Sequence, residues 1–132
     1  MNSRHRKKLN AENGKVRETY DSSGNVIEVA DYDHAGNLQL KITYRRDDRG
    51  NDVHRLVTDE NGKQVRRLEL QYDEKDRLIG YQEYNRKDEL ECRCVAEYDY
   101  GPKLVRIRWF DKNGNVINEE FQVPDQKGNV LF

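Results

Sequence analysis

Residues Tyr20–Arg45 read YDSSGNVIEVADYDHAGNLQLKITYR, and the pattern D-x-x-G-N occurs in them twice, at Asp21–Asn25 and at Asp33–Asn37. Each ingredient of the pattern has a local job. An aspartate at the first position accepts a main-chain N–H two residues on, and a glycine at the fourth takes positive φ without a steric penalty. The pattern therefore predicts a type I turn ending in a left-handed residue, a common longer hairpin connection that is often accompanied by a bulge. Between the turns, Leu38, Leu40, Ile42 and Tyr44 alternate with Gln39, Lys41 and Thr43. Period 2 bounded by turn residues reads as a half-buried strand.

Working outward, the 26-residue segment repeats along the chain. Cutting every 26 residues from Tyr20 aligns Asp21, Asp47, Asp73, Asp99 and Asp125 in one column. The turn centres Gly24, Gly36, Gly50, Gly62, Asp76, Asp88, Pro102, Gly114 and Gly128 then alternate 12 and 14 residues apart. Aspartate is among the residues that tolerate positive φ best after glycine, so Asp76 and Asp88 fit their places. Pro102 cannot take positive φ, so that turn is expected to be rebuilt with Gly101 in the special conformation. Leu68, Leu70 and Tyr72 alternate as cleanly as the first stripe, and so do Leu90, Cys92, Cys94, Ala96 and Tyr98. No stretch carries a helical period.

Strands this short, joined by tight turns, pair antiparallel with their neighbours. The expected fold is all-β: an antiparallel β-meander of about nine strands on a 26-residue repeat of 12 and 14, starting near Lys15. One layer leaves an apolar face wet, so the sheet is expected to be strongly curled or barrel-like. The column Ile27, Val53, Ile79, Val105 and Leu131 is the expected core ladder, with Tyr32, Thr58, Tyr84 and Phe110 closing the strands. In the last strand Ile117, Phe121 and Val123 fall on odd positions, where earlier stripes are even; a bulge or a corner would account for that. Residues 1–10 are expected to be a flexible basic tail ahead of one β-repeat domain over 11–132.

The chain has 132 residues, 37% charged and 34% apolar, with 24 basic and 25 acidic side chains. No run approaches the ~18 apolar residues of a membrane span. The basic start, MNSRHRKKLN, has no apolar stretch behind it and does not read as a secretory signal, so a cytoplasmic protein is expected. Near-neutral net charge argues against an extended polyelectrolyte.

The pieces YDSSGNV (Tyr20–Val26), YDHAGNL (Tyr32–Leu38) and FDKNGNV (Phe110–Val116) together resemble the YD-repeat (RHS) family, with TDENGK and YDEKDRL as weaker copies. The resemblance is to the repeat unit. It implies stacked β-hairpins used for shells or for contact with proteins and sugars, and it carries no catalytic residues.

No residue pattern nominates an enzyme. Asp21, Asp47, Asp73, Asp99, Asp111 and Asp125, with Gly24, Gly36, Gly50, Gly62, Gly114 and Gly128, read as structural turns. Asp111, Asn113 and Asn115 superficially resemble a calcium loop, but Gly114 stands at the fourth place instead of the sixth. Cys92 and Cys94 point to one face about 7 Å apart and read as small core residues. No metal or other cofactor is expected. The Arg106, Arg108 and Trp109 cluster, with Tyr81 and Tyr100, is the candidate binding surface. Basic groups among aromatics can bind single-stranded nucleic acid, but acids are interleaved almost one for one, so nucleic acid is not expected. The functional expectation is a non-catalytic module that binds a protein through its sheet face or edge, in the manner of an immunity or inhibitor protein. A homodimer through an edge or face fits the same features. The alternatives are a small apolar-ligand β-barrel and a structural repeat scaffold with carbohydrate contact.

Overall fold

The structure, a computed structural model, describes residues 14–101 and 103–132; the side chains of 99–101 lie outside that description. The basic segment 1–10, Pro102 and the side chains of Asp99 and Tyr100 therefore fall outside it. Nine strands follow: β1 (Lys15–Tyr20), β2 (Val26–Tyr32), β3 (Leu38–Arg46), β4 (Asp52–Asp59), β5 (Gln64–Tyr72), β6 (Leu78–Tyr84), β7 (Leu90–Gly101), β8 (Leu104–Asp111) and β9 (Val116–Gln122). They form one antiparallel sheet in chain order, and the described residues contain no helix. The first and last strands stand at opposite ends of that order, each bonded to a single neighbour. The barrel-like closure expected from the sequence is therefore not a feature of this fold, because no pair joins β1 to β9.

The turns explain the regularity. In eight of them, at Asp21, Asp33, Asp47, Asp59, Asp73, Asn85, Asp111 and Asp125, the first residue exchanges main-chain bonds with the fourth and fifth. Its side-chain oxygen also accepts the amides of the third and fifth residues at 2.9–3.0 Å. The fourth residue is left-handed throughout, with φ of 63° at Asp76 and Asp88 and 79–88° at the glycines. The expected rebuilding at Pro102 falls outside the described residues; next to it Lys103 is left-handed, at φ 60°, immediately before Leu104, which pairs with Gly101.

Five of these turns, at Asp21, Asp33, Asp47, Asn85 and Asp111, also shift the register. Thr19 pairs with Glu28 while Tyr20 pairs with Val26, which skips Ile27. The same step skips Gln39, Val53, Glu91 and Ile117. A bulge residue has no partner across the ladder. That corrects the expected core ladder: Ile27 and Val53 are bulge residues and only half-buried, Ile79 is half-buried too, and Leu131 is 82% exposed. Val105 alone of that column is buried. Toward β7 the register skips Val105 as well, going from Arg106 to Leu104, and its partner is Gln122 on β9.

The chain divides into two compact units, Met1–Arg67 and Leu68–Phe132. In the first, Val29, Ile42 and Val57 line up across β2, β3 and β4, while Ala30 and Thr58 are buried on the other face. In the second, Cys94, Ala96, Val105 and Ile107 form the core, under the larger side chains of Tyr81, Tyr98, Trp109 and Val130. Aliphatic side chains and Cys94 are buried, and the rings of Tyr81, Tyr98 and Trp109 pack against them. Long cations cover aromatic rings in the same way. Arg17 lies over Tyr32, and Arg46 and Arg55 over Tyr44, at 5.4–5.9 Å from the ring centres.

A side-chain clamp recurs at one repeat position. Arg46 donates to the Val26 carbonyl, from Nη2 at 2.8 Å and from Nε at 3.3 Å, and from Nη1 to the Gly50 carbonyl at 3.3 Å. Two repeats later the Tyr98 hydroxyl donates to the Leu78 carbonyl at 2.9 Å. Both clamps tie the end of one strand to the start of another 20 residues earlier.

The turn carboxylates are charged acceptors, and this shifts their titration. Bonds from the amides of Asn25, Asn37, Asn51, Asn115 and Asn129 hold Asp21, Asp33, Asp47, Asp111 and Asp125 below the ordinary 3.8. At Asp73 partial burial pushes up, but the amide and guanidinium of Arg77 outweigh it. The folded state thus binds fewer protons than the unfolded one, and stability present above 3.8 is lost as pH falls through and below it. Thermal melts between pH 6 and pH 2.5 are expected to show a falling Tm. Asp33→Asn, which copies the neutral acceptor already found at Asn85, should keep the pH 7 Tm and lessen the acid drop. Gly36 has φ 86° and open space around it, so Gly36→Val tests backbone strain alone. It should lower stability by about 1–2 kcal/mol in a urea titration.

Candidate functional site

The second unit carries the residues singled out from the sequence. Pairing sets Tyr81, Cys94, Trp109 and Asn118 side by side across β6 to β9. This row lies on the core face. The Trp109 indole donates to the Tyr81 hydroxyl at 3.3 Å, and the Phe132 ring meets Tyr81 edge-on at 6.0 Å. Burial pushes the Tyr81 phenol up and the Cys94 thiol to about 12. A thiol so buried stays protonated and is a poor nucleophile.

Arg106 and Arg108 project from the other face. Val95, Arg108 and Glu119 form one row, and Glu97, Arg106 and Phe121 the next. Arg106 pairs with Glu97 at 2.7 Å and with Glu119 at 3.8 Å, and Arg108 with Glu97 at 3.8 Å. Arg93 and Arg108 both lie over Phe110, at 4.7 and 5.5 Å. The expected binding cluster is thus two sets: Tyr81 and Trp109 support the core, while Arg106 and Arg108 join an ion-paired network behind it. Tyr100 lies outside the described side chains.

Strand β9 is the feature that listing basic and aromatic residues missed. Val116, Ile117, Phe121 and Val123 are 50–72% exposed. Register explains why. Asn118, Glu120 and Gln122 take the core side of β9, so Glu119 and Phe121 face away from the core. The odd-position stripe read in the sequence was the signal: despite the bulge at Ile117, it marks an apolar set outside the core. Among the described strands β9 bonds only to β8, so no described strand pairs with its outer edge. At the other end, β1 carries Lys15, Arg17 and Glu18 in six residues, the kind of charged strand that discourages edge pairing.

A cleft of about 890 Å³ opens beside β1, lined by Lys15, Arg17, Tyr20, Tyr32 and His34. The described residues contain no helix long and apolar enough to cross a membrane.

No family model and no curated protein matches this sequence. Among solved structures, one likeness is to a chain in "Crystal Structure of TcdB2-TccC3-Cdc42", with a TM-score of 0.33 and 13% identity over 83% of this chain. This chain spans 8% of that one's length. Another is to a DUF3836 family protein from Parabacteroides distasonis ATCC 8503, with a TM-score of 0.26 and 11% identity, covering 83% of this chain and 92% of that one. At such scores neither likeness bears on function.

The two faces predict different responses to truncation. Trp109→Ala should cost about 2–3 kcal/mol, because it uncovers the Cys94–Ile107 core. Arg108→Ala should cost less than about 1 kcal/mol, as an exposed ion pair does. Urea denaturation of both variants measures the contrast.

Proposed function

We propose that this chain is a non-catalytic β-repeat binding module that engages a protein partner through β9, in the manner of an immunity or inhibitor protein. The observation that carries the reading is the row of exposed apolar side chains on a strand whose outer edge pairs with no described strand. Contiguous exposed apolar surface marks interaction sites, and open edges are strand-pairing templates. The remaining chemistry is committed to structure. Turn carboxylates accept main-chain amides, Cys94 is buried, and Arg106 and Arg108 are ion-paired. Three turns, at Asp21, Asp33 and Asp111, carry the resemblance to the YD-type repeat, a tyrosine or phenylalanine before D-x-x-G-N. The apolar-ligand barrel loses support, because it needs a closed strand order.

The test uses tagged full-length chain in native lysate, as wild type, as Ile117→Lys/Val123→Lys, and as an Arg17→Glu control on β1. A protein held by wild type and control, and weakened at least about tenfold by the double variant, is the expected result. Undiminished recovery of that protein by the folded double variant would sink the reading.

A further inference from the structure

We infer that the outer edge of β9 accepts an extended, basic segment of a partner protein as a tenth strand. This deepens the proposed function and rests on it. Three features of β9 specify the occupant.

The first is hydrogen bonding. In an antiparallel ladder alternate residues of an edge strand turn both main-chain groups outward. The Glu119 amide donates to the Asn118 Oδ1 at 2.9 Å, a local side-chain bond in place of a ladder bond. That marks Glu119 as an outward residue whose donor is temporarily satisfied by its neighbour. An incoming strand displaces the Asn118 amide group and supplies a carbonyl instead.

The second is charge. β9 reads VINEEFQ and holds two adjacent glutamates and no cation. Glu119 is answered by Arg106 from β8, at 3.8 Å. Glu120 lies on the core side, opposite Ile107, and is exposed. A lysine or arginine beside Glu120 on the added strand forms the cross-strand opposite-charge pair that sheets favour.

The third is the apolar set. Exposed Val116 and Phe121, which the register places on the face away from the core, offer contact for apolar residues alternating with those cations. Main-chain bonds then supply affinity and the alternate side chains supply selectivity, as in other strand-addition complexes. A second copy of β9 fits poorly. A two-fold pairing centred on this strand sets Glu119 against Glu119, and like charges directly opposite are destabilising.

The probes are three fluorescent hexapeptides: alternating Lys and Val, alternating Glu and Val, and the Lys–Val peptide N-methylated at every second amide. Fluorescence anisotropy with the full chain should show the Lys–Val peptide binding at least about tenfold tighter than the Glu–Val one. N-methylation should abolish binding. Asn118→Ala should strengthen it a few-fold, and Glu120→Lys should reverse the charge preference. Equal affinity for the two unmethylated peptides overturns the inference. So does unchanged binding after methylation, or no binding of the Lys–Val peptide up to about 1 mM. A chain that sediments as a dimer through β9, with Ile117→Lys/Val123→Lys restoring monomers, overturns it in favour of a second copy. The two proposals fail separately. Loss of the captured partner in Ile117→Lys/Val123→Lys, with indifference to Glu120→Lys and to methylation, removes strand addition and leaves the binding module standing.

Discussion

One side-chain oxygen per turn sets the geometry of this protein. The first residue of each D-x-x-G-N unit offers it to two amides, three and five along the unit, while its own main chain bonds the fourth and fifth. That leaves none of those donors to seek water, and it drives the fourth residue left-handed. A bulge accompanies it, since beside the turns at Asp21, Asp33, Asp47, Asn85 and Asp111 the register slips by one residue. The slip then decides which parity of each strand meets the core. A charge is not needed for any of this: Asn85 makes the same bonds with a neutral amide oxygen. Aspartate adds acid sensitivity to a geometry that asparagine also supports.

A single sheet has no second layer to cover it, and the chain compensates within the layer. Mid-strand positions of the second unit carry Cys94, Ala96, Val105 and Ile107, and large rings from neighbouring strands lean across them. On the reverse face guanidinium groups lie over Phe110, as they do over Tyr32 and Tyr44 in the first unit. Arginine suits that task because its planar cation stacks on rings while its charged edge stays wet. The high charge of the sequence is therefore part of how a thin sheet buries its aromatic surface. It also explains why arginines beside aromatics were a poor guide to a binding patch: at Arg93 and Arg108 the same pairing is packing.

Strand number, turn positions and the all-β class were legible in the sequence, because period-2 stripes and D-x-x-G-N turns are local codes. The identity of the core was not. Ile27 and Val53 form a uniform apolar column, yet uniformity there reflects a repeated bulge position, and a bulge is defined by pairing that sequence does not display. Curling was inferred from the need to cover a wet face. The strand order is not closed, and rings and guanidinium groups lying on their neighbours help to meet that need within the layer. Tyr81 and Trp109 were grouped with Arg106 and Arg108 by composition; the alternation of β8 separates them onto two faces. The odd-position stripe of β9 was visible from the start, and its meaning needed the register.

Pro124 stands two residues after the end of β9. It occupies the repeat column of Arg46 and Tyr98, whose side chains reach back to clamp a carbonyl 20 residues earlier. Proline has neither a side-chain donor nor a main-chain N–H to enter a ladder. The turn beyond it still forms, with Asp125 and Asn129 bonded as in every other repeat. The chain after that turn is not a tenth strand. Leu131 instead exchanges both main-chain bonds with the side-chain amide of Gln122, at 2.9 and 2.6 Å. Gln122 points to the core side of β9, so this substitute pairing draws Val130 over the core and Phe132 against Tyr81. The residues after the Asp125 turn thus pack on the core face beside Tyr81.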